Sequence, residues 1–144
     1  MTEIECVVRH LAEADRPFIF SSWTRGAYEI ARTQLIPRER FIPHQLEHVD
    51  RCLARASTLV AVHPDDPNAV IGYLCHELVK GALVVHWAYT KRLFRRRGIG
   101  RLLLETAQPG AAGRPVLFTQ ASKHVEWLRG RLVLAHDPYL LGEL

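Results

Sequence analysis

The segment from Ala82 to Leu103 constrains the fold more than any other part of the chain, because its character changes from strand to helix across a glycine-containing turn. The residues ALVVHWAYT at 82–90 are rich in the β-branched and aromatic side chains that favour strands. Ile99, Leu102 and Leu103 then recur at the spacing of a helix that buries one face. The pattern predicts a strand that leads directly into a helix.

The turn between this strand and this helix predicts an anion-binding site. Gly98 and Gly100 leave backbone N–H groups unobstructed at the start of the helix, where unpaired donors and the helix dipole favour negative charge. The run from Lys91 to Arg101 holds six basic residues and no acidic one. Since the whole chain has a formal net charge of +4, the rest of it is close to neutral. A diphosphate group suits such a turn.

Length and composition predict one globular domain over residues 1–144. Hydrophobic residues make up 48% and charged residues 24% of the chain, which is ordinary for a protein that folds around a core. No apolar run reaches the length of a membrane span, and the N-terminus lacks a signal-peptide pattern, so we expect a cytoplasmic protein without membrane contact. The three cysteines have no Cys-x-x-Cys spacing, which predicts neither disulfides nor a zinc knuckle.

Periodicity and turn signals predict hairpins before the glycine turn and helical crossovers after it. The predicted strands are Ile4–Val8, Ser57–His63, Ala69–Leu78, Ala82–Thr90, Val116–Thr119 and a last apolar segment at Leu132–Ala135. The predicted helices run from Glu13 to about Trp23, from Pro43 to Ala56, from the glycine turn to about Gln108, and from Ala121 to Arg129. This order indicates an α/β fold with a sheet of mixed direction.

The order Arg95-x-x-Gly98-x-Gly100, after a strand and at the start of a helix, resembles the cofactor motif of the GNAT superfamily of acyl-CoA-dependent N-acyltransferases. The resemblance implies a GNAT-like mixed, mostly antiparallel sheet with splayed central parallel strands flanked by helices. It also implies acetyl-CoA as the cofactor. The short chain is loosely similar to phage-encoded members, which would suggest a macromolecular target.

By this resemblance the backbone of Ala88, Tyr89 and Thr90 would hold the pantetheine amides, where the central strands separate. The diphosphate would lie at the turn. The residues expected there are Arg95, Arg96, Arg97, Gly98, Ile99, Gly100 and Arg101. The chain departs from the family pattern further on, since Thr119 stands where an Asn is common and Glu126 where a Tyr protonates the departing thiolate. Tyr139, the only tyrosine after the cofactor helix, is the candidate for a relocated general acid.

His86 is the candidate proton acceptor for the acceptor amine. It lies four residues before Thr90, so the two-residue period of a strand puts it on the same face as Ala88 and Thr90. An imidazole with an ordinary pKa near 6.5 suits general-base catalysis near neutral pH, although a satisfied core histidine would give the same pattern. Glu77, on the neighbouring strand, is a second candidate base.

Trp23, Tyr28 and His44 are candidate substrate-binding residues, because they could line an acceptor groove, although aromatic side chains are more often part of a core. His44 and His48 also fit the His-x-x-Glu-His pattern of some metalloproteases. A protease of that type needs a third ligand and a larger cleft, so we predict no metal site.

The residues and the resemblance together predict an N-acetyltransferase that moves acetyl from acetyl-CoA to a primary amine by direct attack in a ternary complex. The partners are then acetyl-CoA and an amine whose identity stays open, and a homodimer stays open too. The alternative is a basic module that binds nucleic acid through the cluster from Arg92 to Arg101 without chemistry. Salt sensitivity and CoA binding would separate the two.

Overall fold

In the computed structural model, which describes residues 5–31, 35–120 and 134–136, six strands form one sheet in the order β1-β2-β3-β4-β5-β6. The strands are β1 Val7–His10, β2 Ser57–His63, β3 Asp66–Val79, β4 Ala82–Thr90, β5 Val116–Phe118 and β6 Leu134–His136. The helices are α1 Arg16–Ala31, α2 Arg38–Arg55 and α3 Ile99–Ala107. Strands β1 to β4 pair antiparallel, whereas β5 pairs parallel with both β4 and β6. The prediction of a mixed, mostly antiparallel sheet is confirmed.

Helix α3 covers one face of the sheet, and α1 with α2 cover the other. On the first face Ile99 and Leu103 of α3 pack against a cluster that includes Leu83. On the second face Ile19 and Trp23 of α1 belong to a cluster with further apolar side chains of β2, β3 and β4. Because both faces are covered, the central strands read as nearly continuous apolar runs.

Both N-terminal helices are longer than predicted. Helix α1 continues past Trp23 because Ala27 and Ala31 extend its buried stripe at four-residue spacing. Helix α2 begins at Arg38, so the predicted start at Pro43 was wrong. Its first turn is closed by a 3.0 Å hydrogen bond from the Phe41 amide to the Pro37 carbonyl. That turn is mostly polar and exposed, so hydrophobic periodicity could not reveal it.

The β1 prediction was displaced by a few residues, since the strand occupies Val7–His10 and pairs with β2 from Val7 opposite Val62 to His10 opposite Leu59. The predicted strand reached back to Ile4, which lies outside the described residues. The predicted helix from Ala121 to Arg129 lies outside them too. No helix in the described part of the chain combines the length and hydrophobicity that a bilayer crossing requires.

The parallel β4–β5 ladder is short, and β4 extends beyond it. Pairing runs from Leu83 opposite Val116 to Val85 opposite Phe118, and a 3.0 Å bond from the Thr119 amide to the Val85 carbonyl completes it. Strand β5 ends there, whereas β4 continues to Thr90. The predicted parallel neighbours are therefore present, and their pairing ends before β4 does.

Strand β4 contains a β-bulge at His86. Opposite β3, Cys75 faces Trp87 and His76 faces Val85, so His86 is the extra residue. A bulge shifts the alternation of side chains along a strand. Val85 packs under α3, whereas Trp87, two residues on, packs under α1 and α2.

The bulge makes the predicted placement of His86 on the face of Ala88 and Thr90 wrong. Ala88 packs against the α3-side cluster. His86 instead contacts Glu77, which by the alternation of β3 shares the face of Cys75, under α1 and α2. A two-residue period counted along one strand cannot detect an inserted residue.

Candidate active site

The turn between β4 and α3 forms an open cradle of exposed backbone, which we call the 95–100 turn. Arg96 (φ 64°) and Gly98 (φ 84°) both adopt left-handed backbone conformations. Arg95, directly before Arg96, is extended (φ −70°, ψ 150°), so the chain bends at Arg96 and again at Gly98 before α3 begins. The Arg95 Nε donates a 2.9 Å hydrogen bond to the Thr90 carbonyl, which ties the turn to the end of β4.

The amides of the 95–100 turn are available to a ligand. Residues 96–101 donate no backbone hydrogen bond to another described residue, whereas the Leu102 amide donates to the Gly98 carbonyl at 2.9 Å and begins the helical ladder. A Cβ added at Gly100 would meet no atom within 4 Å. Since the helix N-terminus and the surrounding arginines favour negative charge, this geometry fits a diphosphate.

The candidate pantetheine-binding residues lie on β4 just before this turn. Ala88, Tyr89 and Thr90 follow the point where the β4–β5 ladder ends, so their backbone lies beside the end of β5 rather than in its ladder. The Tyr89 ring stacks on Tyr73 at 5.6 Å and meets Phe18 edge-on at 5.8 Å, which holds this part of β4 against α1. Their role in cofactor binding stays a prediction.

Both candidate bases are brought together at the bulge. The His86 Nε2 lies 3.2 Å from Glu77 Oε2, and the His86 Nδ1 lies 2.9 Å from Thr119 Oγ1. The His86 side chain is 0% exposed, whereas that of Glu77 is 12% exposed. The imidazole therefore bridges a carboxylate and a hydroxyl inside the protein. Sequence reasoning placed Thr119 by the resemblance alone and missed this contact.

Further polar side chains surround the pair on the α1–α2 side. The Trp23 Nε1 donates a 3.0 Å hydrogen bond to Gln120 Oε1, and its ring stacks on Trp87 at 5.7 Å with planes 10° apart. Burial lowers the pKa of His48, with added repulsion from Arg51 and His86, although a hydrogen bond with Gln120 opposes the shift. His48 is therefore neutral near pH 7. No sequence signal pointed to Gln120.

The cysteines are poor nucleophiles. Burial, with a smaller contribution from the charge of Glu77, raises the pKa of Cys52 to about 12. Burial also raises the pKa of Cys75 and that of Cys6. Because only a thiolate attacks readily, these side chains do not favour a covalent acyl-enzyme.

The candidate acceptor residues are spread over α1 and α2. Trp23 is completely buried in its stack with Trp87, so it is a core residue in this structure. Tyr28 lines an open groove of about 650 Å³ between α1 and α2, together with Phe20 and Leu46. His44 is exposed on α2. Their roles in acceptor binding stay predictions.

Two further predictions concern the general acid and the absence of a metal site. Tyr139, the candidate general acid, lies outside the described residues. Within residues 5–31, 35–120 and 134–136, no group of three or more His, Cys, Asp or Glu side chains is arranged to hold a metal ion.

Solved structures with the same fold include three bacterial and archaeal proteins assigned as acetyltransferases. One from Bacillus subtilis has a TM-score of 0.65 at 11% identity, covering 88% of this chain and 87% of its own. One from Pyrococcus furiosus has a TM-score of 0.60 at 17% identity, covering 88% and 91%. One from Clostridium acetobutylicum, solved with acetyl-CoA, has a TM-score of 0.54 at 16% identity, covering 83% of both chains.

These similarities establish that the chain has the GNAT acetyltransferase fold. At such low identities they show the fold alone. No family sequence model matches the chain, and no curated protein sequence matches it. The similarity to phage-encoded proteins finds no support among these structures.

Proposed function

We propose that this protein is a GNAT-type N-acetyltransferase that transfers the acetyl group of acetyl-CoA to a primary amine. The observation that carries the proposal is the 95–100 turn, which follows the part of β4 that continues beyond the β4–β5 ladder. Its amides donate no hydrogen bond to the described protein, and the space beside Gly100 is open. Fold alone does not imply function, whereas this site has the backbone donors and the positive charge that a diphosphate requires. The acetyl-CoA complex of the similar Clostridium protein supports the same cofactor class.

The residues present fit a CoA-type cofactor. The amides of residues 96–100 would hold the diphosphate, with Arg95, Arg96, Arg97 and Arg101 supplying positive charge. The backbone of residues 88–90 would hold the pantetheine amides. When bound, acetyl-CoA supplies an activated thioester, and the chain's contribution is to orient the acceptor and receive its proton. The proton-accepting unit is the His86–Glu77 pair, and Tyr139 stays the proposed acid.

Direct attack by the amine fits the described side chains better than a covalent intermediate. All three cysteines have raised pKa values, and two of them are fully buried. The amine nitrogen would form the new C–N bond as the C–S bond breaks. The groove between α1 and α2 and the side chains of Tyr28 and His44 are the proposed acceptor side.

Ligand-dependent stability tests the proposal against nucleic-acid binding. We expect acetyl-CoA to raise the melting temperature, because at 100 times its dissociation constant it would add about 2.7 kcal/mol to the free energy of unfolding. Transfer is then measured as CoA release with a panel of amines, comprising a polyamine, an aminoglycoside and peptides with a free N-terminus or lysine. Stabilisation by duplex DNA that fades steeply with salt, without any effect of acetyl-CoA, would instead establish the basic exposed turn as a nucleic-acid site.

A further inference from the structure

The hydrogen-bonded chain Thr119–His86–Glu77 is most exposed at its Glu77 end. His86 is 0% exposed and Glu77 12% exposed, and Thr119 is buried. An acceptor amine could not contact the imidazole in this conformation. It could contact the second carboxylate oxygen of Glu77, since Oε2 is the atom that faces His86.

We propose that Glu77 takes the proton from the acceptor amine and that His86 and Thr119 are positioning residues behind it. The inference rests on the acyltransferase function proposed above. In the step, the amine N–H proton moves to Glu77 Oε1, the nitrogen lone pair forms the C–N bond, and the C–S electrons leave with the CoA thiolate. His86 takes up no proton in this step and donates from Nε2 to Oε2.

The donors and acceptors in the hydrogen-bonded series Thr119–His86–Glu77 fix one tautomer of the imidazole. An ionised carboxylate only accepts hydrogen bonds, so the proton on the neutral ring is at Nε2, facing Glu77. Nδ1 then has a free lone pair and accepts from the Thr119 hydroxyl, which can donate or accept. Without that hydroxyl, Nδ1 would lose its hydrogen bond, while the Glu77 carboxylate would still favour the proton at Nε2.

The other titratable groups near His86 do not replace Glu77. His48 on α2 and His76 on β3 both interact with His86 electrostatically. Burial lowers the pKa of each, with the charge of Arg51 adding to the effect at His48 and that of His10 at His76. Both rings are therefore neutral near pH 7. Helix α1 contributes Trp23, which does not titrate.

Nitrogen NMR of the histidine rings tests the hydrogen bonds among Thr119, His86 and Glu77 without any cofactor or acceptor. In protein labelled with ¹⁵N at histidine, His86→Gln identifies the His86 signals. We expect the Nε2–H tautomer in the wild type, in Thr119→Ser and in Thr119→Val, with the Nδ1 signal displaced only in Thr119→Val, where Nδ1 loses its hydrogen bond. An Nδ1–H tautomer or a doubly protonated ring in the wild type, or an unchanged Nδ1 signal in Thr119→Val, would overturn the assignment of donors.

Kinetics with the panel amine of highest turnover separate the base from the residues behind it. We expect Glu77→Gln to lower the rate by about 10²–10⁴ and to remove the acidic limb of the pH profile, where the rate rises as the base loses its proton. Thr119→Val should lower kcat about tenfold, shift that limb and leave the KM for acetyl-CoA unchanged, with Thr119→Ser restoring both. Thr58→Val, a buried threonine change on β2 of the same sheet, is the matched control.

The opposite ranking of the two bases would overturn the proposal. If His86→Gln removes the limb while Glu77→Gln keeps it, His86 itself is the base. If no panel amine is turned over and acetyl-CoA gives no thermal shift, the acyltransferase function fails, whereas the NMR result still decides whether the hydrogen-bonded chain exists.

Discussion

At the scale of single residues, the proposed cofactor site depends on the absence of a side chain at two glycines. Gly98 has a left-handed backbone that few other residues adopt at low cost, so changing it would alter the turn itself. Gly100 is different, because its position is open and its backbone conformation is not left-handed. A side chain there would occupy ligand space without disturbing the protein.

We therefore expect Gly100→Val to abolish the thermal shift caused by acetyl-CoA while leaving the melting temperature of the free protein within a few degrees of wild type. The branched Cβ would fill the space that the diphosphate needs to reach the amides. Gly113→Val is the matched control, since that glycine also has open space around its Cβ and lies after α3. Undiminished acetyl-CoA stabilisation in Gly100→Val would refute the cofactor site.

Sequence reasoning predicted the turn between β4 and α3 correctly, whereas the role of its residues in cofactor binding stays a prediction. Arg95, Gly98 and Gly100 follow one another on a single turn, so their spacing carries the information. The contact between His86 and Glu77 depends on the register of two strands and on a bulge, which no count along one strand reveals. The contact of Gln120 with Trp23 depends on how α1 packs on the sheet, which the sequence does not show.

At the scale of elements, α1 is held to β4 by an unusually close approach. A Cβ built on Gly26 would lie 2.7 Å from Cζ2 of Trp87. The Trp87 ring is buried and stacked on Trp23, so it cannot move aside easily. This contact sets the distance between the helix and the strand that carries His86.

Gly26→Ala should destabilise the protein by about 1–3 kcal/mol, the usual cost of overpacking a core. The sign is informative, because the same change in an exposed helix would stabilise it by about 1 kcal/mol through helix propensity. Urea unfolding of Gly26→Ala in the wild-type and Trp87→Phe backgrounds measures the coupling. Equal effects in both backgrounds would show that the Trp87 ring is not the obstacle.

The elements themselves were largely predictable from sequence, whereas their ends were not. β2 and β4 have the predicted bounds because their apolar runs are continuous and flanked by turn residues. Helix α2 begins five residues before the predicted start. Its first turn faces solvent and therefore lacks the periodic apolar residues from which a helix is predicted.

At the scale of the whole molecule, buried ionisable groups make stability depend on pH. For Asp15, burial alone would raise the pKa, but the hydrogen bonds from Arg9 and the Ala12 amide and the Arg9 charge outweigh it and lower the pKa. This carboxylate stabilises the fold above its unfolded pKa near 3.9, and the contribution is lost as pH falls through the lower folded value. His48 and His76 have lowered pKa values for the reasons given above.

These histidines predict that stability already falls between pH 7 and pH 5. The unfolded chain takes up protons near pH 6.5 while the buried rings stay neutral, so the unfolded state binds more protons and gains on the folded state. His48→Gln should flatten the decline of the urea-unfolding free energy over this range. His44→Gln, an exposed ring one turn away on α2, should leave it unchanged. Equal slopes for the two variants would contradict the assignment.

The stacked indoles of Trp23 and Trp87 also have an optical consequence. Two rings 5.7 Å apart are close enough for their excited states to couple, and a twist between their transition dipoles within the parallel planes would give circular dichroism a signal that separate tryptophans lack. One ring belongs to α1 and the other follows His86 directly on β4. The pair would therefore report, without any added label, a change in distance between the helix on the proposed acceptor side and the strand on the proposed cofactor side.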